Sequence, residues 1–256
     1  LAGYFGSPGD TDPIGDTVPK PKMFRAVLVE IETMKAALEG SDRLFMYAEN
    51  YVYSPNILKA AEIVRAKKSR ILFMKGEESL KGSTSPVAGR WDKTGGGSLI
   101  RVGCHPLGGI LWLKREEARS RGVHIGVQSV LCDTGRMTPS LGEHERRHIS
   151  VRPVDVEDYA SVALTFTDGT KALVIAGDTM LGGTRNYVEV YANDAVMNCR
   201  ITPSDVMSTY MLDEEGMENV YISEMLPAKT GWQNPFVAEE HRSEEHTSEL
   251  QSRFGI

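Results

Sequence analysis

Two short stretches of this 256-residue chain carry side chains able to do chemistry. The first runs from Trp91 to Leu107 and reads WDKTGGGSLIRVGCHPL. Its three consecutive glycines, Gly95–Gly97, let a backbone approach a ligand closely or adopt positive φ. Leu99–Leu113 then has helical spacing, with His105 on the same face as Arg101, four residues earlier. An imidazole and a guanidinium on one face behind a glycine turn can bind and polarise a hydroxyl or carbonyl oxygen. The competing reading is a packed helix with a hydrogen-bonded histidine. The second stretch, His144-Glu145-Arg146-Arg147-His148, matches H-E-x-x-H, which on a helix offers two imidazoles to zinc and a carboxylate base. Pro139 and Pro153 bracket too short a segment for that helix, two arginines crowd the cation, and no third ligand follows. A solvated loop is expected, and no metal site is assigned.

These residues need elements to position them. Apolar residues at Val27, Leu28, Ile31, Met34 and Leu38 predict a helix over 23–39, ended by Gly40. Leu44–Ala48 is a short apolar run typical of a strand buried on both faces. Pro55 opens a second helix with apolar face Ile57, Leu58, Ala61, Ile63 and Val64. It closes on the basic group Arg65, Lys67, Lys68 and Arg70. From Ile71 the texture turns to strands: Ile71–Ser79, Ile125–Cys132, Tyr159–Thr167, Thr170–Thr179 and Asn186–Tyr191. Asp168-Gly169 marks a tight turn between two of them. The fold class is therefore α+β: an open, mostly antiparallel sheet with flanking helices, preceded by a helix and strand of α/β type.

Trp91, then GGG-x-L, then G-x-H resembles the second domain of the glucose–fructose oxidoreductase/inositol dehydrogenase (Gfo/Idh/MocA) family. The resemblance extends to Met46-Tyr47-Ala48-Glu49-Asn50 with Tyr53-Ser54-Pro55, and to Val156–Ala160 followed by Leu164-Thr165-Phe166 and Asp168-Gly169. It implies a Rossmann remnant over 1–49 and a substrate and oligomerisation sheet over 50–241. It also implies that His105 is the catalytic histidine, hydrogen-bonding the substrate oxygen. Arg101, Lys93 and Trp91 are then the expected substrate contacts, and Asn50 and Tyr53 would line the nicotinamide of NAD or NADP. Many members carry an aspartate four residues before this histidine and another three after it. Here those positions hold Arg101 and Gly108, and an arginine disfavours imidazolium where an aspartate favours it.

The ends of the chain read differently from its middle. Residues 242–252, RSEEHTSELQS, resemble the translation of a sequencing-library adapter, so 242–256 are expected to be an artefact. The absence of an initiator Met suggests an interior fragment. The family's Glu-Lys-Pro lysine would precede Leu1, and the glycine-rich dinucleotide fingerprint is not in the sequence. Pro19-Lys20-Pro21-Lys22 reads as a solvated loop. The isolated chain is accordingly expected to be inactive.

Composition sets the remaining bounds. A net charge of −6, from 29 basic and 35 acidic residues, speaks against nucleic acid as the main partner. No apolar run reaches the roughly 20 residues a membrane helix needs. Three cysteines without CxxC spacing fit reduced thiols in the cytoplasm. The expected function is an NAD(P)-dependent oxidoreductase acting on a sugar, polyol or related small molecule, assembled as a homo-oligomer through the sheet face. The alternative is a non-catalytic sugar-binding or oligomerisation module of the same fold.

Overall fold

The computed structural model describes residues 32–43, 49–201, 206–222, 229–235 and 237. Residues 32–39 are helical, in keeping with the last turns of the helix expected over 23–39. The rest of that helix, the strand expected over 44–48 and the segment 242–256 lie outside the described residues.

Helix α1, Pro55–Lys67, begins with proline at a position whose missing N–H would have had no helical partner. Its inward face buries Ile57, Ala60, Ala61, Ile63 and Val64 completely. Each branched side chain contributes roughly 1.5–3 kcal/mol on leaving water. Truncating Ile63 to alanine is therefore a costly single change, about 2–5 kcal/mol. Helix α2, Cys104–Arg121, packs beside α1, and both lie on one face of an eight-stranded sheet.

The strands are β1 (Ile71–Ser79), β2 (Val127–Gly135), β3 (Tyr159–Phe166), β4 (Lys171–Gly177), β5 (Arg185–Ala192), β6 (Ala195–Arg200), β7 (Val206–Met211) and β8 (Gly231–Gln233). Their order is β2-β3-β4-β1-β5-β6-β7-β8. Every pairing is antiparallel except β1 with β4, where Phe73 to Ser79 run parallel to Lys171 to Gly177. Met74, Val162, Leu164, Val174, Val188 and Val190 point from the sheet into the core under α1 and α2.

The first five strands follow the sequence expectation closely, though the one expected over Ile125–Cys132 is shifted to Val127–Gly135. The last three are not marked by β-branched runs. Their inward positions are Ala195, Met197 and Cys199 on β6 and Met207, Thr209 and Met211 on β7, mostly residues with weak strand preference. The helix expected over Leu99–Leu113 is instead a π-helical turn, Leu99–Gly103, leading into the longer α2.

The polar half of α2 is held by charge. Lys114, 2% exposed, donates to Ile71 O at 3.0 Å, Glu117 Oε2 at 2.6 Å and Asp168 Oδ2 at 3.1 Å. This ties the middle of α2 to the start of β1 and to the turn between β3 and β4. The N-terminal end of α2, which carries His105, is thereby fixed over the sheet.

Candidate active site

The triple glycine is a packing device for the chain's own backbone. One helical turn, Trp91–Thr94, leads into Gly95 at φ 71°. A side chain at Gly97 would overlap the carbonyl of Glu157, so the two backbones can meet only if 97 is glycine. The N–H groups of Gly97 and Leu99 donate to the Glu157 carboxylate at 2.8 and 3.0 Å, and that of Ser98 to the Glu157 carbonyl at 3.1 Å. Three successive donors are thus spent on Glu157. The close approach expected here is made to residue 157 and not to a ligand.

Arg101 and His105, expected to act together, go to different partners. The Arg101 guanidinium forms a two-pronged pair with Asp178, at 2.8 and 3.0 Å, and Asp178 is fully buried. Burial pushes the Asp178 carboxyl above its ordinary range, with Arg101 pulling the other way. Arg101, expected as a substrate contact, thus meets a carboxylate supplied by the protein itself.

His105 meets an acidic partner after all. Its Nδ1 lies 3.1 Å from Glu49 Oε1 and 3.3 Å from Oε2. Glu49 is 5% exposed, whereas the His105 side chain keeps 28% of its surface open. The same Oε1 accepts from the Tyr51 N–H at 3.2 Å, capping the short 3₁₀ turn Asn50–Tyr53. The Tyr51 ring stacks on the imidazole, 5.7 Å between centroids and 17° between planes. Behind it, the Tyr51 hydroxyl donates to Glu78 Oε2 at 2.6 Å. Burial first, and then Glu78, push the Tyr51 phenol well above its usual value, so it stays protonated as a donor.

Glu49, Cys104 and His105 form the one cluster among the described residues whose donor atoms all lie within 4.8 Å and could converge on a metal. Within it, Glu49 and His105 form a hydrogen-bonded pair beside the Cys104 thiol. Burial, followed by Glu49 and Glu78, pushes the Cys104 thiol up to about 11. His144 and His148 sit exposed in a turn over 143–148, and no metal cluster among the described residues includes them.

The other expected site residues are distributed around this core. Asn50 lies within the 3₁₀ turn, and its Oδ1 is a buried acceptor without a hydrogen bond among the described residues. Tyr53, at the end of that turn, is half exposed. Lys93 is exposed, and the Trp91 backbone N–H donates to Asp155 at 2.7 Å. The Trp91 indole Nε1 is likewise buried without a hydrogen-bond partner among the described residues. Glu49, Tyr51 and Glu78 carry the histidine. Glu49 lies in the Met46–Asn50 stretch that carries the resemblance, yet nothing local marks its pairing with His105; the signal for that was Gly108, glycine where an aspartate was expected.

Comparison with known proteins follows the same outline. A family model described as the GFO/IDH/MocA C-terminal domain matches residues 63–197. No curated protein matches the chain. Among solved structures, an NAD binding oxidoreductase from Klebsiella pneumoniae is 14% identical, with a TM-score of 0.59 over 81% of this chain and 50% of that one. An inositol dehydrogenase homolog from Azotobacter vinelandii, complexed with NAD+, is 15% identical, with a TM-score of 0.59 over 86% and 50%. A levoglucosan dehydrogenase in complex with NADH and levoglucosan is 17% identical, with a TM-score of 0.57 over 81% and 50%. The chain thus spans about half the length of these structures.

Proposed function

The chain belongs to the GFO/IDH/MocA family, and on that premise we propose that it is the substrate-binding half of an NAD(P)-dependent oxidoreductase. The substrate is a sugar, polyol or related small molecule that reacts at a hydroxyl or carbonyl. The observation that carries this reading is the placement of His105. Its partly open imidazole rests on Tyr51, whose neighbour Asn50 has a buried acceptor without a partner among the described residues.

The nicotinamide, when bound, supplies the acceptor for the hydride that leaves the alcohol carbon. Asn50 fits such a group, because its orphaned Oδ1 can accept an N–H from a ligand. Tyr53, on the same turn, would line that position. His105 hydrogen-bonds the reacting oxygen and takes up proton density as the carbonyl forms. Trp91 and Lys93 are substrate contacts in this reading. Arg101 acts at one remove, by neutralising Asp178 under the turn that leads into α2. The test is sugar- or polyol-dependent reduction of NAD(P)+ by the holoenzyme, which is expected to fail when His105 is replaced.

We further propose a homo-oligomer joined through the open sheet face. That face carries Phe73 stacked on Tyr191 at 5.8 Å and Tyr210 against Trp232 at 5.4 Å. Trp232 is 60% exposed, and an aromatic patch of this kind favours a protein partner. Three free cysteines, Cys104, Cys132 and Cys199, support a reducing, cytoplasmic setting. Among the described residues no helix is long and apolar enough to cross a membrane.

A further inference from the structure

Resting on the oxidoreductase reading, we propose that Glu49 is the positioning residue of His105, fixing its imidazole with the proton on Nδ1, and that Gly108 is what admits Glu49. The carboxylate is buried and faces Nδ1 with both oxygens, at 3.1 and 3.3 Å. A carboxylate can only accept, so the nitrogen facing it carries the hydrogen. Nε2 is then the nitrogen with the lone pair, the form that can accept a proton from a substrate hydroxyl. The opposite tautomer would present a donor there and could not act as a base.

Two further contacts hold the pair in register. Glu49 Oε1 is tethered by the Tyr51 N–H, and the Tyr51 ring backs the imidazole. The Tyr51 hydroxyl is in turn anchored on Glu78 of β1. The imidazole is therefore held edge-on by one carboxylate and face-on by a ring fastened to a second.

Gly108 supplies the space. A Cβ at 108 would lie 2.7 Å from Glu49 Cγ and 3.0 Å from its Cδ, so any side chain there displaces the carboxylate. Residue 108 is also three positions after His105 on α2, the spacing at which two helical side chains meet. A carboxylate introduced at 108 would enter the volume that Glu49 fills. The acidic partner of His105 thus comes from another segment, and the glycine leaves the room it occupies.

The test is ¹⁵N NMR of the imidazole nitrogens in the 256-residue chain, at a pH alkaline enough to keep them neutral. His105→Gln assigns the signal. Wild-type His105 is expected as the Nδ1-protonated tautomer. In Glu49→Ala that fraction should drop several-fold toward the Nε2-protonated form favoured by free imidazole. Glu49→Ala combined with Gly108→Asp should restore it. An Nε2-protonated wild type overturns the proposal without any variant, as does a tautomer unchanged in Glu49→Ala. Failure of the double variant to restore it overturns the role given to Gly108. Because the readout needs no turnover, loss of the oxidoreductase reading would show separately, as absent hydride transfer with the tautomer intact.

Discussion

His105 and Glu49, 56 positions apart in the chain, face each other across 3.1 Å at the N-terminal end of α2. This contact joins the segment before the 3₁₀ turn to the helix that follows the triple glycine. It also reverses the electrostatic expectation drawn from Arg101, whose charge is consumed by Asp178 at 2.8 Å.

Arg101→Ala is expected to destabilise the fold by about 3–5 kcal/mol, because it leaves the fully buried Asp178 uncompensated. Asp178 already has a raised folded-state pKa, and removing the arginine raises it further. Such a group contributes stability below the unfolded carboxylate pKa and loses it as pH rises through the folded one. The deficit should therefore be larger at pH 7 than at pH 4. Urea unfolding at both pH values measures it. A deficit under about 0.5 kcal/mol at pH 7, the ordinary surface value, would show that the pair carries little.

Cys104 should resist alkylation. With its thiol pushed up to about 11, the thiolate is scarce at pH 8, and iodoacetamide should modify it only as the medium becomes strongly alkaline. Glu49 is one of the groups that disfavour the thiolate, so Glu49→Ala should move the onset to lower pH. Mass spectrometry of the Cys104 peptide across a pH series follows the change. Rapid modification at pH 7 would contradict the assignment.

The H-E-x-x-H sequence is expected to be inert. His144 and His148 are exposed and lie in a turn. His144→Ala/His148→Ala should leave zinc content unchanged by elemental analysis and stability within about 0.5 kcal/mol. Loss of one equivalent of metal in that variant would restore the zinc-site reading.

Trp232→Glu should weaken self-association. It places a charge against Tyr210 on the open face, where an oligomer contact would have to desolvate it. Analytical ultracentrifugation is expected to show a larger assembly for the wild type than for the variant. Equal masses would remove the sheet face from the interface.

What the sequence disclosed was what is local. The Pro55 start of α1, the hydrophobic texture of β1 and the Asp168-Gly169 turn are written in neighbouring residues, and each is where its residues place it. His105 was legible by its spacing from the glycines, although those glycines serve Glu157. The partners were not legible. Asp178 is 77 positions from Arg101 and Glu49 is 56 from His105, and a polar residue carries no sign of the distant group it will meet. Strands β6 and β7 were hidden because methionine, alanine and cysteine fill their inward positions where β-branched residues would have signalled a strand.

In the proposed reaction His105 serves the reacting oxygen of a sugar or polyol. The most direct test of this role is the initial rate of NAD(P)H formation at 340 nm, by a holoenzyme that carries this chain behind a dinucleotide-binding domain. Wild type should turn over a member of a sugar and polyol panel, and His105→Ala should lower kcat/KM for that substrate by about 10²–10⁴-fold with the fold intact. A His105→Ala enzyme that turns over as fast as wild type would contradict the account.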